Sequence, residues 1–513
     1  MNKATWLARK SASPAAPDHT LLALCVLTVA IRLVTTWLLP SVAQADETFQ
    51  YLEQANRLIS GRGMIPWEYE IGVRSWIIPG FLAGLFRVAT WISPDPAARL
   101  WSATFFMCAL SCVTTMAGYR LSQNAGAGRI GALFAGLLLA VWSELVYFSA
   151  HVLADSISAA TLVMALATCY PNRNLTSGRL ILAGALFGLT LVIRIQLAPA
   201  IAIAMIWLCF GKARARVFPL CAGFVLPVAV LAIVDWMTWG VPMISLWKYV
   251  QANGGGLAAV FGIKPGYYYF GKQLLVWHVA TPLILTTAVI GARRAPLLAV
   301  IGIAIVVTFS LVGHKELRFI FPALPLCFIL SGIGTADAIE WLRRRQKWET
   351  TAARSWLIAG AAITWVAASI AVSVGFHMRT FWTLDADPLA AMRIINADRS
   401  SCGVGLAQPK FWWATGLVRL RNDLQIYNAD STHIGNSAAA YNYVMDFSKT
   451  SSPTQYEALG FKEVQCFSHY PLCLYRRRGA CDPASGEPSK AVHPDGLDEV
   501  LRKLKLLPSR SEQ

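Results

Sequence analysis

The 513-residue chain carries 45 Lys and Arg against 28 Asp and Glu, a net charge of +17, yet only 14% of its residues are charged and 56% are hydrophobic. A soluble domain carries roughly a quarter charged residues, so the composition excludes an ordinary soluble protein. Repeated apolar runs of about twenty residues, each long enough to cross a bilayer, mark a polytopic membrane protein. They also assign the excess positive charge to cytoplasmic loops rather than to a nucleic-acid surface.

The first run, Leu21 to Leu39, is too long for a cleaved signal and has no small-residue cleavage site before Pro40. Lys3, Arg9 and Lys10 precede it, so residues 1–20 are expected to be cytoplasmic. The polar loop 40–80 then lies outside. Ile77 to Ile92, interrupted by Pro79 and Arg87, reads as interfacial or re-entrant.

Spans follow near 100–119, 130–148, 152–170, 180–193, 196–210 and 217–234. A long outside loop, 235–272, separates these from spans near 273–291, 296–312, 319–337 and 355–376. The total is about eleven spans, with the clusters at Arg120, Arg293-Arg294 and Arg343-Arg344-Arg345 all on the cytoplasmic side. The helical domain therefore covers 21–378. Residues 379–481 have ordinary polarity and read as a small mixed α/β domain outside the membrane. The segment 482–513, rich in Pro, Ser and charge, reads as a flexible tail. Cys402, Cys466, Cys473 and Cys481 lie in this polar region without metal-ligand spacing, so at least one disulfide is expected.

This topology gathers separate polar motifs on one face. Asp46-Glu47 follows the first span directly and suits a general base, or else caps a helix over Thr48 to Ile59. Trp67, Glu68 and Arg74 offer rings and hydrogen bonds to a sugar, or belong to the interfacial aromatic belt. His151 and Asp155, four apart, would share a helix face. Arg194 can pair with a lipid phosphate or snorkel. The second loop brings Tyr267, Tyr268 and Tyr269 as a further sugar or lipid surface. His314-Lys315-Glu316-Leu317-Arg318, inserted between two apolar spans, carries four ionisable groups in five residues. Its cations suit a phosphate leaving group.

HKELRFIFPALPL resembles the HKE-x-RF signature of the membrane mannosyltransferases that use a lipid-phosphate mannose in N-glycan and GPI-anchor assembly, with Leu317 where a second Glu is usual. ADETFQYLEQANRL is similar to the family's first-loop PDE-x-x-Q motif, with Ala45 for Pro. WEYEIGVRSWIIPG resembles its TWEW…RS…P continuation. DWMTWG…NGGGLAAVFGIKPGYYYF resembles its D…YG…N…YG-x-HPW-x-YF loop, with Lys264 and Gly266 replacing His and Trp. The four matches stand in the family's order over about 21–340 and most resemble the third GPI mannosyltransferase branch.

The resemblance implies an all-α GT-C bundle with its active site on the non-cytoplasmic face, and inverting transfer of a hexose, mannose above all. The donor would be a polyprenyl- or dolichyl-phosphate carrier, and the acceptor a hydroxyl of a glycan or glycolipid. It implies Asp46 as base with Glu47 its neighbour, and His314, Lys315, Glu316 and Arg318 toward the donor phosphate, where Arg194 is expected from its place at the outside end of a span. Trp67, Glu68, Arg74, His151, Asp155, Tyr267, Tyr268 and Tyr269 are then expected at the sugar or acceptor. No cofactor is expected, and the motifs leave metal dependence open. Membrane lipids, donor and acceptor are the expected partners, with no nucleic acid. The Ala-rich, short-looped chain points to a bacterial inner membrane with a periplasmic site; a eukaryotic chain would lie in the endoplasmic reticulum. The rival expectations are a glycolipid transporter or flippase, and an O-antigen-ligase-type transferase. A transporter places its ionisable groups near the bilayer midplane, whereas these sit in loops on one side.

Overall fold

A computed structural model describes residues 18–173, 175–347, 350–407, 415–429, 434–447, 453–469, 471–486, 488–489, 497–504 and 506. Lys3, Arg9 and Lys10, on which the expectation of a cytoplasmic N-terminus rests, lie outside the described residues.

The chain opens with α1 (His19–Leu38). The first loop holds a π-helical turn (Glu47–Leu52), α2 (Glu53–Ser60), α3 (Trp67–Glu70) and α4 (Ile77–Ile92). Next come α5 (Pro96–Asn124), α6 (Gly128–Val141), α7 (Ser143–Ala150), α8 (Ala154–Cys169), α9 (Ser177–Ile193), α10 (Ala198–Cys209) and α11 (Ala213–Trp239). The second loop contains α12 (Ile244–Gly254) and leads to α13 (Tyr268–Trp277), α14 (Thr281–Ala292) and α15 (Pro296–Leu311). A 3₁₀ turn (Leu317–Ile320) precedes α16 (Ala323–Arg345), α17 (Thr351–Val374), α18 (Phe376–Trp382) and α19 (Ala386–Ala397).

Among the described residues six helical segments are long and apolar enough to cross a bilayer, or seven if the bent pair α6–α7 is one span. Five shorter apolar helices stand beside them, so this count does not confirm the expected eleven or so. Several apolar runs form helices too short by themselves, α4, α8, α9 and α15 among them. The run read as one span near 130–148 breaks by 57° at Trp142, whose backbone is extended. The Ser143 N–H freed by the break is taken by Ser369 Oγ at 3.0 Å. Arg32 of α1, buried in the bundle, fixes the same bend by donating to the Ala140 and Leu139 carbonyls at 3.0 Å and to Ser149 Oγ at 2.7 Å. A buried guanidinium in a membrane bundle stays only where its donors are satisfied.

α16 is the central helix, with most of its side chains buried, packed on α6, α14 and α15. Gly332 makes this approach possible, because a Cβ there would collide with the Ala135 backbone of α6; small residues let membrane helices approach closely. Outward-facing Leu22, Val26, Trp37, Val225 and Ile303 are exposed, as lipid contact requires.

Beyond α19 lies a five-stranded mixed sheet of β1 (Val404–Leu406), β2 (Ile426–Asn428), β3 (Tyr443–Asp446), β4 (Phe461–Cys466) and β5 (Cys473–Arg477), in the order β2-β1-β3-β5-β4. β1 runs parallel to β2 and β3; β5 is antiparallel to β3 and β4. Disulfides join Cys402 to Cys481 and Cys466 to Cys473. A short helix, Leu497–Lys503, buries Leu497 and Leu501 against Ile71, Val73, Ala252 and Leu257, an apolar pair that composition averaged over the segment conceals.

Candidate functional site

The first loop turns back over the bundle because its carboxylates find partners there. Met64 N, Leu417 N and Val418 N donate to Glu53 at 2.9, 3.1 and 2.8 Å, fastening the loop to the C-terminal domain. Arg99 of α5 adds bonds to Asn56 Oδ1 at 2.7 Å and Asn422 Oδ1 at 2.9 Å. Lys248 of α12 donates to the Ile71 carbonyl at 2.7 Å, drawing the second loop onto the first. Within α11, Asp235 accepts from Ser245 N and Oγ at 3.0 and 2.6 Å, which orients α12.

Arg318 lies at the centre. Its Nη2 meets Asp46 Oδ2 at 2.7 Å, its Nε meets Glu316 Oε2 at 2.7 Å, and its Nη1 stands 3.6 Å from Asp155 Oδ2. Glu316 also accepts from Gln44 Nε2 at 2.6 Å and pairs with His314 Nε2 at 2.9 Å. Arg194 pairs with Asp155 Oδ1 at 2.9 Å and lies over the rings of Phe309 and Phe319. Two arginines thus share one buried aspartate, with Asp46 and Glu316 balancing the second charge.

Burial alone would raise the Glu316 carboxyl, but Arg318 and His314 outweigh it and hold it well below the usual carboxylate range. The Glu316 hydrogen bond lifts His314 above the ordinary imidazole value, against its partial burial. Burial works against a charged Arg318, and the carboxylates of Asp46, Glu316 and Asp155 overcome it. Glu68 behaves differently. Burial, helped by the charge of Asp46 and opposed by Arg74, pushes it up to about 7, while Gln50 Nε2 donates to it at 2.8 Å.

These groups line a pocket of about 140 Å³ together with Trp67, Gln196, Tyr249 and Asn253. It shares Arg74, Arg194, Gln196 and Tyr249 with a chamber of about 70 Å³ beside Tyr51 and Leu231. Of the residues singled out from the sequence, Asp46, Trp67, Glu68, Arg74, Arg194, His314, Glu316 and Arg318 line the pocket, and Asp155 supports it from beneath.

Six others fall elsewhere. Lys315 turns away, donating to the Lys264 and Val312 carbonyls, because the next residues enter the 3₁₀ turn and alternate side chains point apart. His151 and Asp155 do not share a helix face: α8 begins only at Ala154, and His151 sits in the extended break before it. There His151 Nδ1 pairs with Glu47 at 2.9 Å. Glu47 also accepts from Ala43 N at 3.0 Å and Val152 N at 3.2 Å. His151 outweighs the burial that would raise Glu47, so its carboxyl stays below the ordinary value. Glu47 is therefore a buried structural anion facing the other side of the first loop from Asp46. Tyr267 is 75% exposed, as an interfacial belt residue would be. Tyr268 and Tyr269 pack in α13 against the core and each other.

Sequence reasoning missed Gln44, Gln196 and Tyr249, which carry no charge and stand in no motif, and it passed over Gln50, the Gln of the first-loop motif. Only the partner across the fold reveals them.

The model of the Alg9-like mannosyltransferase family matches residues 23–399. GPI mannosyltransferase 3 of Yarrowia lipolytica is 28% identical over 337 residues, 63% of this chain and 64% of that protein. GPI alpha-1,2-mannosyltransferase 3 of Mus musculus is 24% identical over 333 residues, 62% of this chain and 59% of that one. The chain thus aligns with about three-fifths of the length of these relatives. The crystal structure of ArnT from Cupriavidus metallidurans bound to undecaprenyl phosphate superposes with a TM-score of 0.59 at 14% identity, covering 91% of this chain and all of that one, so the fold is GT-C. This multi-pass membrane chain belongs to the Alg9-like mannosyltransferase family.

Proposed function

We propose that the protein transfers mannose from a polyprenyl- or dolichyl-phosphate carrier to a hydroxyl of a glycan or glycolipid acceptor on the non-cytoplasmic face, with inversion. The observation that carries this reading is the Asp46–Arg318 pair, an acid and a cation in contact at 2.7 Å in one pocket. The two ends of a displacement need these two groups.

In the resting site Asp46 and Arg318 satisfy each other. A donor phosphate offers Arg318 a second anion, and the guanidinium fork accommodates it while Asp155 and Glu316 keep the arginine charged and in place. Asp46 is then released to accept a proton. The acceptor hydroxyl attacks the anomeric carbon as its proton passes to Asp46. The bond between that carbon and the phosphate oxygen breaks, and the carrier phosphate departs with the electron pair. Arg318, with Arg194 beside it, neutralises the charge that develops on the phosphate. A phosphate needs no general acid to leave. The family match weighs against the transporter and ligase expectations.

The test is transfer of radiolabelled mannose from polyprenyl-phosphate mannose to a membrane lipid extract. Loss of a general base slows a reaction by ~10²–10⁴-fold, the drop expected for Asp46→Asn in folded protein. Undiminished transfer by Asp46→Asn removes Asp46 as base. Failure of wild type with every polyprenyl-phosphate sugar tried overturns the reading itself.

A further inference from the structure

On the far side of the first loop lies a larger cavity, about 570 Å³, within the size range of small-molecule sites, ~300–1,000 Å³. Asp46 lines the smaller pocket and Glu47 the larger, so two consecutive residues form the partition between them. One wall of the larger cavity is membrane helix: Trp37 and Leu39 at the end of α1, Leu100 and Trp101 near the start of α5. Trp37 is 68% exposed, which leaves this wall open toward lipid.

The opposite wall belongs to the C-terminal part of the chain. Arg393 and Asn396 come from α19, and Arg419 from the segment that Glu53 and Arg99 fasten to the first loop. Arg419 lies beyond residues 23–399, the family-matched region. Its Nε and the Nε1 of Trp382, both on the cavity lining, are buried N–H groups without a hydrogen-bond partner among the described residues. Buried donors are ordinarily paired. Three carboxylates act on Arg419, those of Glu47, Asp385 and Glu53. Glu47 has His151 and two backbone N–H groups of its own and Glu53 has three, whereas Asp385 Oδ2 is buried without a hydrogen-bond partner among the described residues. Arg419 thus lines the cavity with an Nε that has no hydrogen-bond partner among the described residues, its charge facing Asp385 as well as the cavity. A wall of N–H donors and two cations calls for an oxygen-rich anion. Aromatic rings such as Trp37 and Trp101 mark the depth of lipid headgroups, where the available oxyanion is phosphate.

We propose that this cavity receives the acceptor and that Arg419, with Arg393, holds a phosphate on a lipid-anchored acceptor, making the C-terminal domain the element that selects it. The assignment rests on the transfer reading above. It places the acceptor's phosphate on the Glu47 side of the first loop, from which the acceptor's hydroxyl end reaches past the partition to Asp46 in the smaller pocket.

The experiment uses full-length protein in phosphatidylcholine nanodiscs, photolabelled with phosphatidic acid carrying a diazirine in its chain, with the labelled peptides mapped by mass spectrometry. Saturable labelling is expected in residues 96–104 and 389–397. The Arg393→Gln/Arg419→Gln double variant should weaken it roughly tenfold, and Arg419→Lys should restore part of it. Labelling of these peptides should persist in Arg318→Gln, whose change lies in the other pocket. Competition by inorganic phosphate assigns recognition to the phosphate alone; resistance to it assigns recognition to phosphate and chain together. Equal labelling by the matching diacylglycerol, unchanged labelling of the double variant, or label confined to residues 67–74 and 253–261 overturns the proposal. None of these readings depends on transfer, so a failure of the proposed activity is seen separately. Thermal unfolding of each variant confirms that it is folded.

Discussion

Arg318 and Asp46 stand 272 residues apart in sequence and 2.7 Å apart in space. The pair closes the helical bundle across one end, joining the loop after α1 to the turn before α16. Asp155 and Glu316 lie within 4 Å of the same guanidinium. A planar fork serves all three carboxylates together, whereas an ammonium on a flexible stem behaves as a point charge.

Arg318→Lys should therefore keep the charge and lose the geometry. The lysine can hold one carboxylate closely but not orient Asp46, Glu316 and a donor phosphate at once. We expect kcat/KM for the donor to fall by about 10–10²-fold, corresponding to ~1.4–2.7 kcal/mol of transition-state stabilisation. Steady-state kinetics at varied donor concentration give the value. A lysine variant with wild-type kinetics would show that charge alone suffices.

Glu68 gives the site a pH signature. Its carboxyl is raised to about 7 in the folded protein, against an ordinary value near 4.3 in the unfolded chain. A raised acid binds its proton more tightly when folded, so its contribution to stability is full below the unfolded value. That contribution is lost as pH rises through about 7. Glu68→Gln, neutral at every pH, should flatten the fall of thermal stability between about pH 4.5 and 7.5. It should also gain on wild type at the upper end, by an amount on the order of 3 kcal/mol. Melting curves of both proteins across this range in the same detergent decide the matter; parallel pH profiles refute it.

Much of this site is legible in sequence because charge is rare in apolar surroundings. Asp46, His314, Glu316 and Arg318 stand out against their neighbours, and a topology counted from cationic loops brings them to one end of the bundle. The span count is less legible. A single backbone departure at Trp142 divides one apolar run into two helices, and hydropathy does not register it. The same cause misplaces His151: a spacing of four implies a shared face only if the helix is continuous. Lys315 points away from the pocket for a related reason, since within a turn the phase of each residue depends on where the turn starts. Arg419 was out of reach altogether. Its place at the cavity depends on Glu53 accepting from Leu417 and Val418, a long-range bond between an unremarkable glutamate and backbone groups.

That bond sets the last expectation. The Glu53 carboxylate is fully buried, and its three N–H donors come from two parts of the chain, Met64 in the first loop and Leu417 and Val418 in the C-terminal domain. Burial raises its carboxyl and these donors oppose the rise, so the bonds offset the cost of keeping an acid in this joint. Glu53→Ala leaves three buried N–H groups unpaired, at a cost of roughly 1–3 kcal/mol for each group not rescued by water. The damage should be local. Arg62 and Arg99 still hold Leu424, Asn422 and Leu420, so the domain should loosen rather than unfold. Hydrogen exchange should show faster exchange at residues 415–420 and 62–66 in Glu53→Ala, with α16 protected as in wild type. Because Arg419 lies in the loosened segment, the same variant should weaken phosphatidic-acid labelling of the larger cavity while labelling near Arg318 is unchanged. Unaltered exchange at residues 415–420 would show that Arg62 and Arg99 suffice to seat the segment without Glu53.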